Sequence, residues 1–100
     1  MSDLNTKEIK LEIQLDEETA QGVYINLAVV NHNDTEVTLD FIFVQPQAPR
    51  AKVRSRVITS PRHAKGILLA LQENVARYEK AFGPIEPAVQ RIDEPDSHYH

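Results

Sequence analysis

The apolar residues of this chain first alternate with polar ones and later recur at helical spacing. Within Ile9–Leu15 every second residue is apolar, and Lys10, Glu12 and Gln14 stand between them. Alternation of this kind is typical of a strand that buries one face. Three later segments have a similar pattern, so four strands are predicted: Ile9–Leu15, Val23–Val30, Thr35–Val44 and Ala51–Thr59.

The segment after the fourth strand has the pattern of one long amphipathic helix. Ser60 is suited to the N-cap, and Pro61 to the first helical position, where its missing N–H is not needed. Gly83 followed by Pro84 predicts the end of the helix. Leu69 is the one large aliphatic residue on the opposite side. The apolar stripe consists of Ala64, Ile67, Leu68, Leu71, Val75, Tyr78 and Phe82.

These elements predict an α+β fold with the order β-β-β-β-α. Short connections favour an antiparallel meander, in which Leu15 pairs with Val23 and Val29 pairs with Val37. The alternation then places the apolar residues of all four strands on one face, and the helix is expected to lie across that face. Residues 1–8 are expected to be a flexible N-terminus, and residues 9–83 the single domain. Residues 84–100 are expected to be a flexible tail rich in proline and acidic residues, which Ile85 or Val89 could anchor to the domain.

The second face of this predicted sheet is also partly apolar, although one helix can cover only one face. A second chain would cover it, most simply in a twofold homodimer. The alternative is a mixed face that stays in contact with water, because much of any protein surface is apolar. The predicted partner or dimer face consists of Tyr24, Ala28, Val30, Ile42, Val44 and Ile58.

Composition restricts the possible classes of protein. The chain has 100 residues, a net charge of −4 and no cysteine, which indicates one globular domain without disulfides or thiolate sites. The longest apolar run, Ile67–Leu71, is too short to span a membrane, and the N-terminus lacks the layout of a signal peptide. A cytoplasmic protein without a cofactor is therefore expected.

A basic run offers the main alternative to a protein-binding role. It holds six of the eleven lysine and arginine residues, which would suit nucleic acid or another polyanion. The other interpretation is internal pairing, since Asp40 would lie opposite or diagonal to Arg54 and Arg56 in a hairpin of strands three and four. The possible polyanion face consists of Arg50, Lys52, Arg54, Arg56, Arg62, His63 and Lys65.

The sequence does not predict a metal site or a catalytic site. His32 with Asp34, and His98 with His100, are pairs without a third ligand at fixed spacing, which a zinc site would need. No nucleophile stands beside a base, and no glycine-rich loop suits a phosphate. A non-enzymatic protein is therefore expected.

Several segments resemble a family known as domain of unknown function 3467, mainly found in bacteria. The likeness covers about residues 9–85 and implies a small soluble protein without an assigned activity, and it transfers no catalytic residue. The matching segments are Leu15–Asp16, Ala20–Tyr24, Asn26–Ala28, Asp40–Phe41, Ala51–Ile58 and Pro61–Lys65, with Leu71, Asn74, Tyr78–Glu79 and Phe82–Gly83.

Three functions follow as hypotheses. The first is a non-catalytic interaction or accessory module that acts as a homodimer. The second is a nucleic-acid-associated protein that uses the basic run. The third is a binder of a small ligand in a dimer cleft near Tyr24, Asn26 and Asn74.

Overall fold

The computed structural model describes residues 10–47 and 50–88, and in them the chain forms one antiparallel sheet and one long C-terminal helix. The strands follow one another in the sheet in the order β1-β2-β3. The α+β class predicted from the sequence is thereby confirmed. The elements are α1 (Glu17–Ala20), β1 (Leu27–His32), β2 (Val37–Gln45), β3 (Arg50–Thr59) and α2 (Pro61–Phe82).

The long helix α2 has the bounds that the sequence predicts. The Ser60 hydroxyl accepts a hydrogen bond from the His63 backbone N–H at 3.2 Å, as an N-cap does. At the other end Gly83 has a φ of 103°, which favours glycine, and its N–H donates to the Glu79 carbonyl at 2.8 Å. Both ends depend on local chemistry, which is why the sequence alone could locate them.

The predicted first strand is not observed. Residues 10–15 have no regular structure, and Ile9 lies outside the described residues. The short helix α1 follows, with the Thr19 N–H donating to the Asp16 carboxylate at 3.4 Å. Hydrogen bonds from the Thr19 side chain and backbone hold the pKa of Asp16 below its ordinary value. The sheet therefore has three strands in the described residues, and the prediction of four is wrong there.

The turn between β1 and β2 lies two residues later than predicted, and the later turn changes the strand pairing. The Asn33 side-chain oxygen accepts hydrogen bonds from the N–H groups of Thr35 and Glu36, both at 2.8 Å. With the turn there, Val29 lies opposite Asp40 instead of Val37. A shift of three residues is odd, so it moves every β1 side chain to the other face of the sheet. The predicted register is wrong for this reason.

A β-bulge divides the predicted inner face of β3. Phe41 lies opposite Ser55, but Ile42 lies opposite Val53, so Arg54 is an extra residue in the ladder. A bulge reverses which side chains point to a given face beyond it. Ala51 and Val53 are therefore on the face opposite to Ser55, Val57 and Thr59. Strict alternation along the predicted strand would have placed all five on the same face.

The pairing defines two faces of the sheet, named here after two residues of the central strand. The Phe41 face carries Ala28, Val30, His32, Val37, Leu39, Phe41, Phe43, Lys52, Ser55, Val57 and Thr59. The Asp40 face carries Leu27, Val29, Asn31, Thr38, Asp40, Ile42, Val44, Ala51, Val53, Arg56 and Ile58.

The described part of the chain has almost no core of its own. Among the described apolar side chains only Ile42, 4% exposed, is buried. Helix α2 contains no buried residue, and it makes at most slight contact with the strands. The expectation that the helix lies across one face of the sheet is therefore wrong within a single chain.

The chain that follows α2 is described as far as residue 88 and forms no regular structure there. The Ile85 N–H donates to the Glu79 carboxylate at 2.9 Å, which ties this segment to the end of α2. The rest of the predicted tail, including Val89, and the predicted N-terminal region 1–8 lie outside the described residues. Neither described helix is long and apolar enough to cross a membrane.

Candidate interaction surfaces

The six residues of the predicted partner face do not form one surface. Ile42, Val44 and Ile58 lie on the Asp40 face, whereas Ala28 and Val30 lie on the Phe41 face. The sixth residue, Tyr24, contacts Phe43 edge to face, with 6.2 Å between ring centroids. The shifted register explains the division, since it moved the β1 residues across the sheet.

The Asn26 side chain extends the β1–β2 ladder beyond its backbone bonds. Its amide nitrogen donates to the Val44 carbonyl at 3.1 Å, and its amide oxygen accepts from the Val44 N–H at 2.8 Å. The Asn26 backbone N–H also donates to the Ile42 carbonyl at 3.0 Å. The paired amide bonds imitate a hydrogen-bonded strand pair. The sequence had offered Asn26 as a ligand contact, and no sequence signal distinguishes the two roles.

Replacing Asn26 with aspartate tests this role, because a carboxylate keeps the acceptor but loses the donor. The Val44 carbonyl would lose its partner and face a negative charge. We expect Asn26→Asp to lower the free energy of unfolding by about 1–2 kcal/mol, measured by urea denaturation at pH 7. Asn31→Asp, in the strand that follows Asn26, is the matched control and should change it by less than about 0.5 kcal/mol. Equal effects of the two substitutions would contradict the assigned role.

The predicted pairing of the basic run with Asp40 is confirmed for Arg56. The Arg56 Nε and Nη2 atoms donate to the two Asp40 carboxylate oxygens at 2.7 and 2.8 Å. Asp40 is 1% exposed, whereas the Arg56 side chain is 43% exposed. Bidentate geometry of this kind is the strongest form of an arginine–carboxylate contact. Arg56 therefore fixes the position of a carboxylate that is buried in the middle of the sheet.

The remaining residues of the predicted polyanion face are dispersed. Arg50 and Lys52 project from the Phe41 face at one end of β3, and Arg54 occupies the bulge. The His63 ring lies 3.1 Å from the Ser60 hydroxyl at the start of α2, so this histidine belongs to the helix cap. The other two cations, Arg62 and Lys65, stand on the first two turns of α2, away from its apolar stripe.

The described residues contain no group of three or more side chains that could hold a metal ion. His32 ends β1, two residues before Asp34, and His98 and His100 lie outside the described residues. The cleft proposed near Tyr24, Asn26 and Asn74 is not formed within one chain, because α2 barely contacts the strands.

The apolar stripe of α2 is exposed along the helix in the described chain. The exposed fraction is 61% for Leu71 and 76% for Phe82. The Tyr78 and Phe82 rings contact each other, with 4.9 Å between ring centroids, and extend the stripe to the end of the helix. The six large residues of the stripe are all exposed: Ile67, Leu68, Leu71, Val75, Tyr78 and Phe82.

Two further apolar surfaces accompany the stripe. On the Phe41 face, Val30 and Val57 are exposed, and Leu39, Phe41 and Phe43 are only half-buried. In residues 10–15 every apolar side chain is exposed, Ile13 by 83%. One chain thus presents three uncovered apolar surfaces at once.

Comparison with known proteins gives a family but no function. The model of the family described as "Protein of unknown function (DUF3467)" matches residues 1–87. No curated protein and no solved structure matches the chain significantly. The family match covers most of the chain and agrees with the resemblance found from the sequence. The chain belongs to the DUF3467 family of proteins of unknown function.

Proposed function

We propose that this protein is a non-catalytic interaction module that acts as a homodimer. The observation that carries the proposal is the exposed apolar stripe of α2, which the described part of its own chain does not cover. The absence of cysteine suits a reducing compartment, and we place the dimer in the cytoplasm.

The stripe is too large to remain in water. Burying the exposed half of a large aliphatic or aromatic side chain contributes about 1 kcal/mol or more. Six such side chains therefore contribute on the order of 6 kcal/mol, close to the whole stability of a small domain, about 5–15 kcal/mol. Because Ile42 is the only buried apolar side chain among the described residues, the single chain has no other core to offset this loss.

A second copy of the chain offers the cover that each of these surfaces needs. Helix α2 has 22 residues, which corresponds to about 33 Å. Strand β3 has ten residues, which at about 3.3 Å per residue corresponds to about the same length. Helix α2 of one copy can therefore lie along the Phe41 face of the other, and a twofold axis buries both stripes with the same contacts.

Such a dimer leaves part of the Asp40 face available for another protein. Ile58, which is 56% exposed, is the most accessible of the predicted partner residues on that face. An accessory role toward a further protein would use this surface.

The molecular mass in solution tests the proposal. We expect multi-angle light scattering at micromolar concentration to give about twice the chain mass of 11.3 kDa. A well-folded protein of one chain mass would contradict the proposal. The same column run measures the ratio of absorbance at 260 and 280 nm. A raised ratio would indicate co-purified nucleic acid and would support the basic run as a binding surface instead.

The geometry does not favour the nucleic-acid role as a second proposal. Of the cations on β3, Arg56 is bound to Asp40, and Arg50 and Lys52 point to a different face. Nucleic-acid surfaces usually gather cations on one face or along one groove. The described chain shows no such concentration.

A further inference from the structure

Residues 10–15 have the pattern of a strand but pair with no strand in the described part of their own chain. Leu11, Ile13 and Leu15 alternate with polar residues and are between 67% and 83% exposed. A strictly alternating segment needs an apolar surface on one side and a neighbouring strand for its backbone. In the described part of the chain these residues are exposed and pair with no strand, and a second copy could supply both.

We propose that residues 10–15 of one copy add a fourth strand to the outer edge of β3 in a second copy. The inference rests on the proposed homodimer. The outer edge of β3 is open in the described chain, because this strand is the last in the sheet and pairs only with β2. An open edge presents a row of backbone N–H and C=O groups, which accept an added strand.

Charge selects β3 over the other open edge. Residues 10–15 carry one glutamate and one lysine, and three carboxylates follow directly at Asp16, Glu17 and Glu18, so the acidic charge lies at the C-terminal end of the segment. Strand β3 carries four cations and no carboxylate, whereas β1 has neither lysine nor arginine. Opposite charges on neighbouring strands stabilise the pair by about 0.2–1 kcal/mol each. Addition to β1 would gain none of these contacts.

The alternation also fits the two faces of the sheet. With Leu11, Ile13 and Leu15 on the Phe41 face, the segment continues the apolar surface of Val57. Glu12 then lies on the Asp40 face, the face of Arg56. The apolar residues of the segment would be buried by the same partner helix that covers the Phe41 face.

Helix α1 separates the segment from β1 and suits an exchange between chains. It is capped by Asp16 and ends before Gly22, whose φ of 78° marks a change of chain direction. The sequence predicts a short connection that joins this segment to the next strand as an antiparallel neighbour. In the structure α1 stands at that position. Exchange of an identical element between two copies is a low-cost route to a dimer.

Disulfide trapping tests the inference, since the chain has no cysteine of its own. One chain carries Ile13→Cys and the other carries Lys52→Cys, Ser55→Cys or Val57→Cys, all on the Phe41 face. The chains are mixed, unfolded, refolded together and oxidised, so a bond between the two different chains is intermolecular. We expect at least one β3 position to form this bond at least tenfold faster than the control Val30→Cys on β1. Bonding to Val30→Cys instead, or to no β3 position, would overturn the inference.

Hydrogen exchange on the unmodified protein provides a second measurement that needs no substitution. We expect the amides of residues 10–15 to exchange at least a hundredfold more slowly in the assembled protein than in an unstructured peptide of the same sequence. Exchange at the peptide rate would overturn the inference. A protein of dimer mass with unprotected amides refutes the strand addition alone, whereas a folded monomer refutes the homodimer on which it rests.

Discussion

Leu71→Asp is expected to abolish dimerisation and to unfold most of the protein at micromolar concentration. Leu71 lies at the centre of the α2 stripe and is 61% exposed in the single chain. In the dimer the substitution loses about 2 kcal/mol of apolar burial at each of two symmetric positions. It also places a carboxylate in an apolar contact, at a cost of several kcal/mol. The dissociation constant should rise by at least about a thousandfold, measured by light scattering over a dilution series.

Leu69→Asp is the matched control for this substitution. Leu69 is the same residue type in the same helix and is similarly exposed, at 52%, but it points away from the stripe. Its replacement should leave the dimer mass unchanged, with a change in stability below about 0.5 kcal/mol. Two variants with equal masses, whether both dimeric or both monomeric, would contradict the assignment of the stripe as the interface.

Arg56→Met is expected to have the second largest effect, a loss of about 3–5 kcal/mol in the free energy of unfolding. The substitution keeps much of the side-chain volume but removes the two hydrogen bonds that Arg56 donates to the Asp40 carboxylate, which is 1% exposed. A buried charge that loses such a partner is far more costly than the pair itself. Urea denaturation of the assembled protein at fixed concentration measures the difference.

The double variant Asp40→Leu with Arg56→Met separates the cost of burying the Asp40 carboxylate without Arg56 from the value of the pair. Because no carboxylate then remains in the sheet, the free energy of unfolding should rise by at least about 2 kcal/mol relative to Arg56→Met alone. Loss of less than about 0.5 kcal/mol in Arg56→Met, or no recovery in the double variant, would show that the pair does not hold Asp40 in place.

Features of the fold that depend on local chemistry could be predicted from the sequence. Ser60 and Gly83 mark the ends of α2 because a cap acts on its own turn of helix. The sequence predicts that Asp40 pairs with Arg54 or Arg56, because all three lie near the middle of consecutive strands, and the structure pairs it with Arg56.

Strand register depends on contacts that the sequence pattern does not specify. The alternation of Val23–Val30 is compatible with either face of the sheet. The observed choice follows from the Asn33 turn and from the Asn26 amide bonds to Val44. The bulge at Arg54 adds a second change of face. The register shift divided the predicted partner face between two sides of the sheet, and the bulge divided the predicted inner face of β3.

Alternation in residues 10–15 predicts a strand. It does not indicate whether the neighbouring strand belongs to the same chain or to a second copy. A half-buried strand and a strand exchanged between copies have the same pattern, because both need one apolar side and one neighbour. The same limit applies to α2. Its stripe predicts burial, and in the single chain the surface that buries it is missing.

The mass of the unmodified protein, followed by light scattering as it is diluted from about 100 to 1 μM, tests the central claim most directly. The account predicts about twice the chain mass of 11.3 kDa at high concentration, with loss of helical circular dichroism wherever the mass falls toward one chain. A single-chain mass throughout the series, with full helical signal, would contradict it.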